Sequence, residues 1–293
     1  MNYYENIKTE LINNEVYKKV KDYSKNRSDL NTYYNVGKLL YEAGKHYGEG
    51  IIKNYSKKLT SDLNKKYNVR YLYDMRKLYL FSKVHPLDAQ LTISHYRILF
   101  TLKDDNEINY YIDQIKERNL GKRNLIAIIK NKEYERLDKE TKNKLVSKEK
   151  VKVNDFIKNP ILIKNKYNKE NISEKLLQQL ILEDIEDFMS ELGSGFSFIK
   201  SEYKIKIGDS YNYIDLLLFN IEFNCYVVIE LKITKLKKEH IGQIETYMNY
   251  IDKNIKKVTQ DKTIGIIIVK KENKFIMEYV SDERIFARKY QLI

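Results

Sequence analysis

The sequence predicts a two-domain α+β protein: a basic helical domain of helix-turn-helix-like character, then a mixed α/β domain. Three observations carry this. The 293 residues amount to about two domains at roughly 150 residues each. Apolar residues recur every three or four positions in the first half and form short alternating or continuous runs after residue 195, the periods of helices and of strands. The charge is lopsided too: residues 1–150 carry 31 Lys/Arg against 20 Asp/Glu, whereas residues 151–293 carry 23 against 21.

The helical domain is read over residues 1–150. Leu39, Leu40, Ile51, Ile52, Tyr55, Leu59 and Leu63 mark the first face, with breaks expected at Gly44, Gly48 and Gly50. Leu72, Met75, Leu78 and Tyr79 mark the next, ended by Val84-His85-Pro86. Thr92 or Ser94 is placed to cap a helix carrying Ile93, Tyr96, Leu99 and Phe100. Leu125, Ile126, Ile128 and Ile129 follow Gly121-Lys122-Arg123-Asn124. Residues 151–168, with Pro160 and a short apolar tether at Ile161–Ile163, read as a linker.

The second domain is read over residues 169–293. Ser173 caps a helix running to Leu192, with Leu177, Ile181, Ile185, Phe188 and Leu192 on one stripe and Gly193 at its end. Strands are expected at Phe198–Ile207, Tyr211–Phe219 and Cys225–Ile233, with turns at Gly208-Asp209-Ser210 and Asn220–Asn224. A helix from Lys237 to Asn254 precedes Thr263–Val269, which is apolar on both faces and therefore a central strand. Phe275–Val280 reads as a last edge strand.

Composition narrows the functions open to such a chain. Apolar residues are 42% of the total, too many for a disordered polymer. One cysteine, Cys225, excludes an internal disulfide framework or a Cys-rich zinc module. No apolar run approaches the roughly 18 residues of a membrane helix, and MNYYENIKTE lacks the pattern of a signal peptide, so no membrane partner and a cytoplasmic location are expected. The 26 Tyr with no Trp are what an AT-rich coding sequence would write, with base-stacking aromatics as the alternative reading. The excess of cations in the first half is the footprint of a phosphate-binding part; a lysine-rich surface without a partner leaves the same mark. No phosphate-binding glycine loop, dinucleotide fingerprint or Ser/His/Asp nucleophile pattern is present.

The informative stretch is Tyr213-Ile214-Asp215-Leu216-Leu217-Leu218-Phe219 followed by Val227-Val228-Ile229-Glu230-Leu231-Lys232. A hairpin closing near residue 222 pairs positions summing to about 444, which sets Asp215 beside Glu230. Alternation sends Glu230 and Lys232 to one side with Leu231 between them. Two carboxylates and an ammonium at the end of an apolar hairpin are costly unless they pair or hold a metal. Mg²⁺ takes oxygen ligands at roughly 2.0–2.1 Å and uses one or two protein carboxylates. Asp215, Glu230 and the Leu231 carbonyl supply such a set, with Lys232 to orient water or offset charge on phosphorus. A surface salt bridge between Glu230 and Lys232 is the rival reading. The apolar strands and an Asp at the mirror position weigh against it.

Ile214-Asp215 with Glu230-Leu231-Lys232 resembles the motif of the PD-(D/E)XK nuclease superfamily, and the α-β-β-β-α-β order resembles its restriction-endonuclease-like core. Glu191-Leu192-Gly193-Ser194-Gly195-Phe196, Gly242-Gln243 and Tyr247 narrow the resemblance to YhcG-type nucleases. Tyr34-Asn35-Val36-Gly37-Lys38-Leu39, Tyr73-Asp74-Met75-Arg76, Ser94-His95-Tyr96 and Tyr134-Glu135-Arg136-Leu137 extend it to that family's helical N-terminal domain. The resemblance implies that Asp215, Glu230 and Lys232 are the catalytic triplet, that Gln243 lies beside it, that Mg²⁺ (or Mn²⁺) is the cofactor, and that the N-terminal domain binds DNA. Two departures stand out. Gln178 occupies the place where a Glu is usual on the first helix, so Glu174 or Glu183 is expected to substitute. The segment between Asn64 and Tyr71 is short and lacks a Gly-Phe-Ser step.

The reading that follows is a Mg²⁺-dependent DNA endonuclease. Tyr73, Arg76, His95, Arg97, Lys122 and Arg123 are its candidate nucleic-acid contacts. A homodimer suits the cutting of two strands. A lapsed DNA-binding or recruitment protein, favoured by Gln178, and an RNA-directed nuclease are the alternatives. His240, after Lys235, Lys237 and Lys238, is expected at a solvated helix end, and Cys225 is expected to be buried and inert.

Overall fold

The computed structural model describes residues 2–19, 25–48, 50–168 and 171–293. The chain divides into two compact units, Met1–Tyr134 and Glu135–Ile293. With that boundary the first unit holds 25 Lys/Arg against 16 Asp/Glu, so the cationic excess stays with it.

The first unit is helical among its described residues: α1 (Tyr3–Lys19), α2 (Lys25–Tyr47), α3 (Ile51–Asp62), α4 (Val69–Phe81), α5 (Ile93–Leu99), α6 (Asp105–Glu117) and α7 (Lys122–Lys130). Gly44 does not break its helix. Leu40 and Ala43 are fully buried beside it, and that packing outweighs the roughly 1 kcal/mol a mid-helix glycine costs. The chain turns instead at Gly48, where φ is +78°. Thr92 is the cap of α5: its hydroxyl accepts from the His95 amide, and the His95 ring accepts from the Thr92 amide at 3.1 Å.

The second unit comprises α8 (Lys139–Ser147), β1 (Ile161–Ile163), α9 (Glu174–Glu183), α10 (Ile185–Leu192), β2 (Phe196–Ile207), β3 (Ser210–Asn220), β4 (Cys225–Lys235), α11 (Lys238–Asn254), β5 (Asp261–Lys271), α12 (Lys274–Glu278) and β6 (Ile285–Leu292). The sheet order is β1-β6-β5-β4-β3-β2. β2, β3 and β4 form an antiparallel meander, and β4, β5, β6 and β1 run parallel. One face buries Leu216, Leu218, Val227, Ile229 and Leu231 under α9 and α10. The other buries Leu217, Val228, Ile267 and Val269 under α11. Thr263–Val269 is buried throughout, as a strand covered on both faces must be. Gly265 lets α11 approach: a Cβ there would stand 2.5 Å from Met248 Sδ.

Three expectations for the second unit change. Residues 151–168 are no spacer: β1 pairs with β6, Ile161 and Ile163 enter the core, and Lys158 is buried with its ammonium on the Ser190 carbonyl. Lys169 and Glu170, where the sequence reading starts the second domain, lie outside the described residues. The helix over 173–192 breaks in two at Asp184 (φ −128°, ψ 47°). Phe275–Val280 is not a strand but contributes the short α12. The last strand is parallel to β5, so residues 272–284 must carry the chain back across the sheet, which takes about a dozen residues and precludes a hairpin.

Candidate active site

β3 and β4 pair in a register of Leu216 with Ile229 and Leu217 with Val228, one residue from the sum expected. Beyond the last regular pair the strands stay joined through a side chain: the Leu231 amide donates to Asp215 Oδ2 at 2.7 Å. Lys232 Nζ lies 3.2 Å from Glu230 Oε2 and 3.8 Å from Glu174 Oε2 on α9. Asp215, Glu230, Lys232 and Glu174 therefore share one crevice at the end of the meander.

The crevice is crowded with charge, and its burial is deepest at Glu230. Glu230 is 1% exposed. Burial first, and then the charge of Asp215, pushes its carboxyl up to about 8. Asp215 is raised by burial as well, partly offset by the Leu231 amide and Lys232. Burial pulls the Lys232 ammonium down, but Glu230, Glu174 and Asp215 outweigh it and hold it above the usual lysine value. Oε1 of Glu230 is buried without a hydrogen-bond partner, an arrangement that costs about 1–3 kcal/mol or more for a polar oxygen. The oxygen donors present suit a hard cation, which Glu230 and Asp215 would hold with the Leu231 carbonyl alongside. Among the described residues no three His, Cys, Asp or Glu side chains converge as a ready metal cage.

The remaining expectations divide. Glu183 is not at the site; it accepts from Tyr167 and Gln179. Gln243 reaches toward the crevice at one remove, donating to Tyr247 Oη at 3.1 Å, and the Tyr247 phenol feels the charges of Glu230, Lys232 and Asp215. His240 is not solvated: it is 6% exposed, caps α11 by accepting from the Lys237 amide, and is held below the usual histidine value by burial and by Lys232. Cys225 is buried, its thiol pushed up to about 11 by burial.

A model of the YhcG PDDEXK nuclease domain matches residues 154–293, the stretch that holds this constellation. One of the DUF1016 N-terminal domain matches residues 9–136. The chain carries a YhcG-type PDDEXK nuclease domain behind a DUF1016 N-terminal domain. An Escherichia coli (strain K12) protein named "Putative nuclease YhcG" is 27% identical over 112 residues, 38% of this chain and 30% of the relative, so the match spans under a third of that protein's length. Two solved structures cover about half of their own chains at 21% identity. One is a repair endonuclease from Pyrococcus abyssi (TM-score 0.31, 42% of this chain and 48% of that one). The other is an EndoMS-dsDNA2 complex (TM-score 0.32, 43% and 48%).

Two residues of the YhcG-type domain carry information that pattern reading missed. Gln178 does more than replace an acid: its Nε2 donates to the backbone carbonyl of Asp215 at 2.9 Å, and so fixes the strand that presents the carboxylate. Glu202 on β2 has φ +47°, left-handed backbone within a strand. Its neighbours pair as Ser201 with Leu216 and Tyr203 with Ile214, so it faces Asp215, whose carboxyl it helps to raise. No sequence pattern signals a positive φ at a glutamate.

In the DUF1016 N-terminal domain, Tyr73, Arg97 and Lys122 line concave surface beside α4, α5 and α7, and Arg123 is exposed on the first turn of α7. Arg76 lies with its guanidinium 6.0 Å from the Tyr41 ring centroid. His95 is 6% exposed and spent on the α5 cap, a structural role that removes it from any ligand-facing surface.

Proposed function

We propose that this protein is a divalent-cation-dependent nuclease hydrolysing DNA phosphodiester bonds, its YhcG-type domain cutting and its N-terminal domain gripping the polymer. The observation that carries the reading is the unpartnered, buried Glu230 Oε1 set beside Asp215 and Lys232. When bound, Mg²⁺ or Mn²⁺ would polarise the phosphoryl oxygen and acidify an attacking water. Asp215 and Glu230 are its carboxylate ligands and the Leu231 carbonyl is their neighbour. Lys232, kept cationic by three carboxylates, orients the nucleophile and offsets charge developing on phosphorus. Gln178 and the Leu231 amide hold Asp215 in place, and Gln243 acts through Tyr247. Cutting both strands of a duplex calls for two such centres, so a homodimer belongs to this reading.

A second reading, a recruitment protein whose nuclease site has lapsed, is favoured by the amide at Gln178. One experiment separates the two. Purified protein is incubated with linear, nicked, branched and single-stranded DNA and with RNA, with and without Mg²⁺ or Mn²⁺. Cation-dependent cutting of DNA that disappears in Asp215→Ala and Glu230→Ala supports the nuclease. Wild-type rates in either variant, or no carboxylate-dependent Mn²⁺ binding by calorimetry, would sink it.

A further inference from the structure

The helical unit contains a groove that the active-site chemistry leaves unexplained. A cavity of about 900 Å³ lies among α2, α4, α5 and α7. A second, of about 590 Å³, shares Arg70, Asp74, Arg97 and Thr101 with it, so the two form one continuous trough. Its rim is cationic. Among the described residues Arg70, Lys77, Lys122 and Lys130 have no carboxylate partner, and the single acid in the lining, Asp74, is paired with Arg97 at 2.9 Å. The floor is different: Ile98, Ile126 and Ile129 lie with the ring of Tyr71, and Ile126 is 45% exposed.

A cationic rim fits a polyphosphate, and an apolar floor fits something with unstacked flat faces. A duplex offers phosphates but keeps its bases paired and stacked within. An unpaired strand offers both, its backbone following the cations and its bases turning onto apolar and aromatic side chains. We infer that this trough binds a short unpaired stretch of DNA, with phosphates on Arg70, Lys77, Lys122 and Lys130 and bases over Ile98, Ile126 and Tyr71. The inference rests on the nucleic-acid reading above and adds to it the strand form that is gripped.

The test uses the full chain as Glu230→Gln in EDTA, so that binding is read without cutting. Fluorescence anisotropy measures Kd for a labelled oligo-dT, for an abasic strand of equal length, for a duplex and for an RNA strand. Oligo-dT is expected to bind at least ten-fold tighter than the duplex, with a log–log salt slope near −3, as about four released counterions on a single strand imply. Arg70→Glu with Lys122→Glu should weaken oligo-dT binding at least ten-fold. Ile126→Ser should weaken it about five-fold yet leave abasic-strand binding unchanged, since serine removes the apolar contact without adding a charge; Ile126 is half exposed, and an unaltered melting temperature confirms that the variant folds. Equal Kd for abasic and normal strands, tighter binding of duplex, or tighter binding of RNA overturns the inference. A protein that binds as expected while the wild type never cuts sinks the nuclease reading and leaves this one standing.

Discussion

The Leu231 amide donates to Asp215 Oδ2 at 2.7 Å, so a backbone group lying between the side chains of Glu230 and Lys232 fixes the acid of the neighbouring strand. The bond takes over where the regular ladder of β3 and β4 ends at Leu216 and Ile229. It draws Asp215 toward Glu230 and thereby raises the charge density that Glu230 must bear. The same bond partly relieves Asp215 of its own desolvation. Glu230 has no comparable donor for Oε1.

That imbalance makes stability depend on pH through Glu230. Its carboxyl stands at about 8 in the fold against an ordinary 4.5, so between those values the folded chain holds a proton that the unfolded chain has released. Stability from this group is complete below about pH 4.5 and is lost as pH rises through 8. Glu230→Gln has no proton to lose. In EDTA its unfolding free energy should exceed the wild type's by an amount that grows from pH 5 to pH 8.5 to about 1–3 kcal/mol, read as a widening gap in melting temperature. Mn²⁺ should raise the wild type alone. A difference that stays flat with pH would contradict the buried, proton-holding carboxyl.

Removing the acid of a buried ion pair should cost far more. Glu191 and Arg136 are both almost fully buried and pair through Arg136 Nη2 and Glu191 Oε1 at 2.9 Å. Glu191 also accepts from the Leu162 amide at 2.9 Å, and Arg136 donates to the Pro160 carbonyl at 2.7 Å. The pair therefore pins residues 136–162 to the end of α10. Glu191→Ala strands a buried guanidinium and should lower stability by about 3–5 kcal/mol. Chemical denaturation read by far-ultraviolet circular dichroism checks this, and a loss below 1 kcal/mol would mean that water reaches the pair.

Glu202 tests the strain at the site's other flank. A non-glycine residue at φ +47° costs about 1–2 kcal/mol, and glycine gives back part of that through its greater unfolded-state entropy. Glu202→Gly should raise stability by about 0.5–1 kcal/mol in EDTA, helped by removing a charge that opposes Asp215. A decrease in melting temperature would show that the Glu202 side chain makes a stabilising contact.

What the sequence discloses and what it hides follows a physical line. The meander was legible because side-chain alternation and a short turn at Asn220–Asn224 leave few registers open, and the register sets Asp215 against Glu230 without further information. Thr92 and Ser173 were legible as caps because their chemistry is local. The edge strand β1 was hidden, since three residues carry no period and only pairing with the distant β6 makes them a strand. The tie between Arg136 and Glu191 spans 55 positions, and nothing local marks either partner. Gln178 was seen as a missing acid, but its grip on the Asp215 carbonyl depends on how α9 seats on the sheet. The left-handed backbone at Glu202 is likewise unmarked, since glutamate carries no preference for positive φ.

Two helical glycines should respond oppositely to the same substitution. On an open helix, alanine is favoured over glycine by about 1 kcal/mol. Gly242 on α11 is such a place: a Cβ there meets nothing within 4 Å, so Gly242→Ala should stabilise by about that amount. Gly37 on α2 is the reverse. Its Cβ would stand 2.2 Å from the Met75 carbonyl oxygen and 3.1 Å from Tyr79 Cβ, and the obstacle is the backbone of α4, which no rotamer change can clear. Val36, Leu40 and Met75 around it are fully buried, so the two helices can part only by opening the core. Gly37→Ala should therefore destabilise the helical unit by about 3 kcal/mol, at the upper end of what overpacking costs. Thermal melts of both variants decide it: shifts of the same sign would mean that close approach of α2 to α4 is not what requires glycine at position 37.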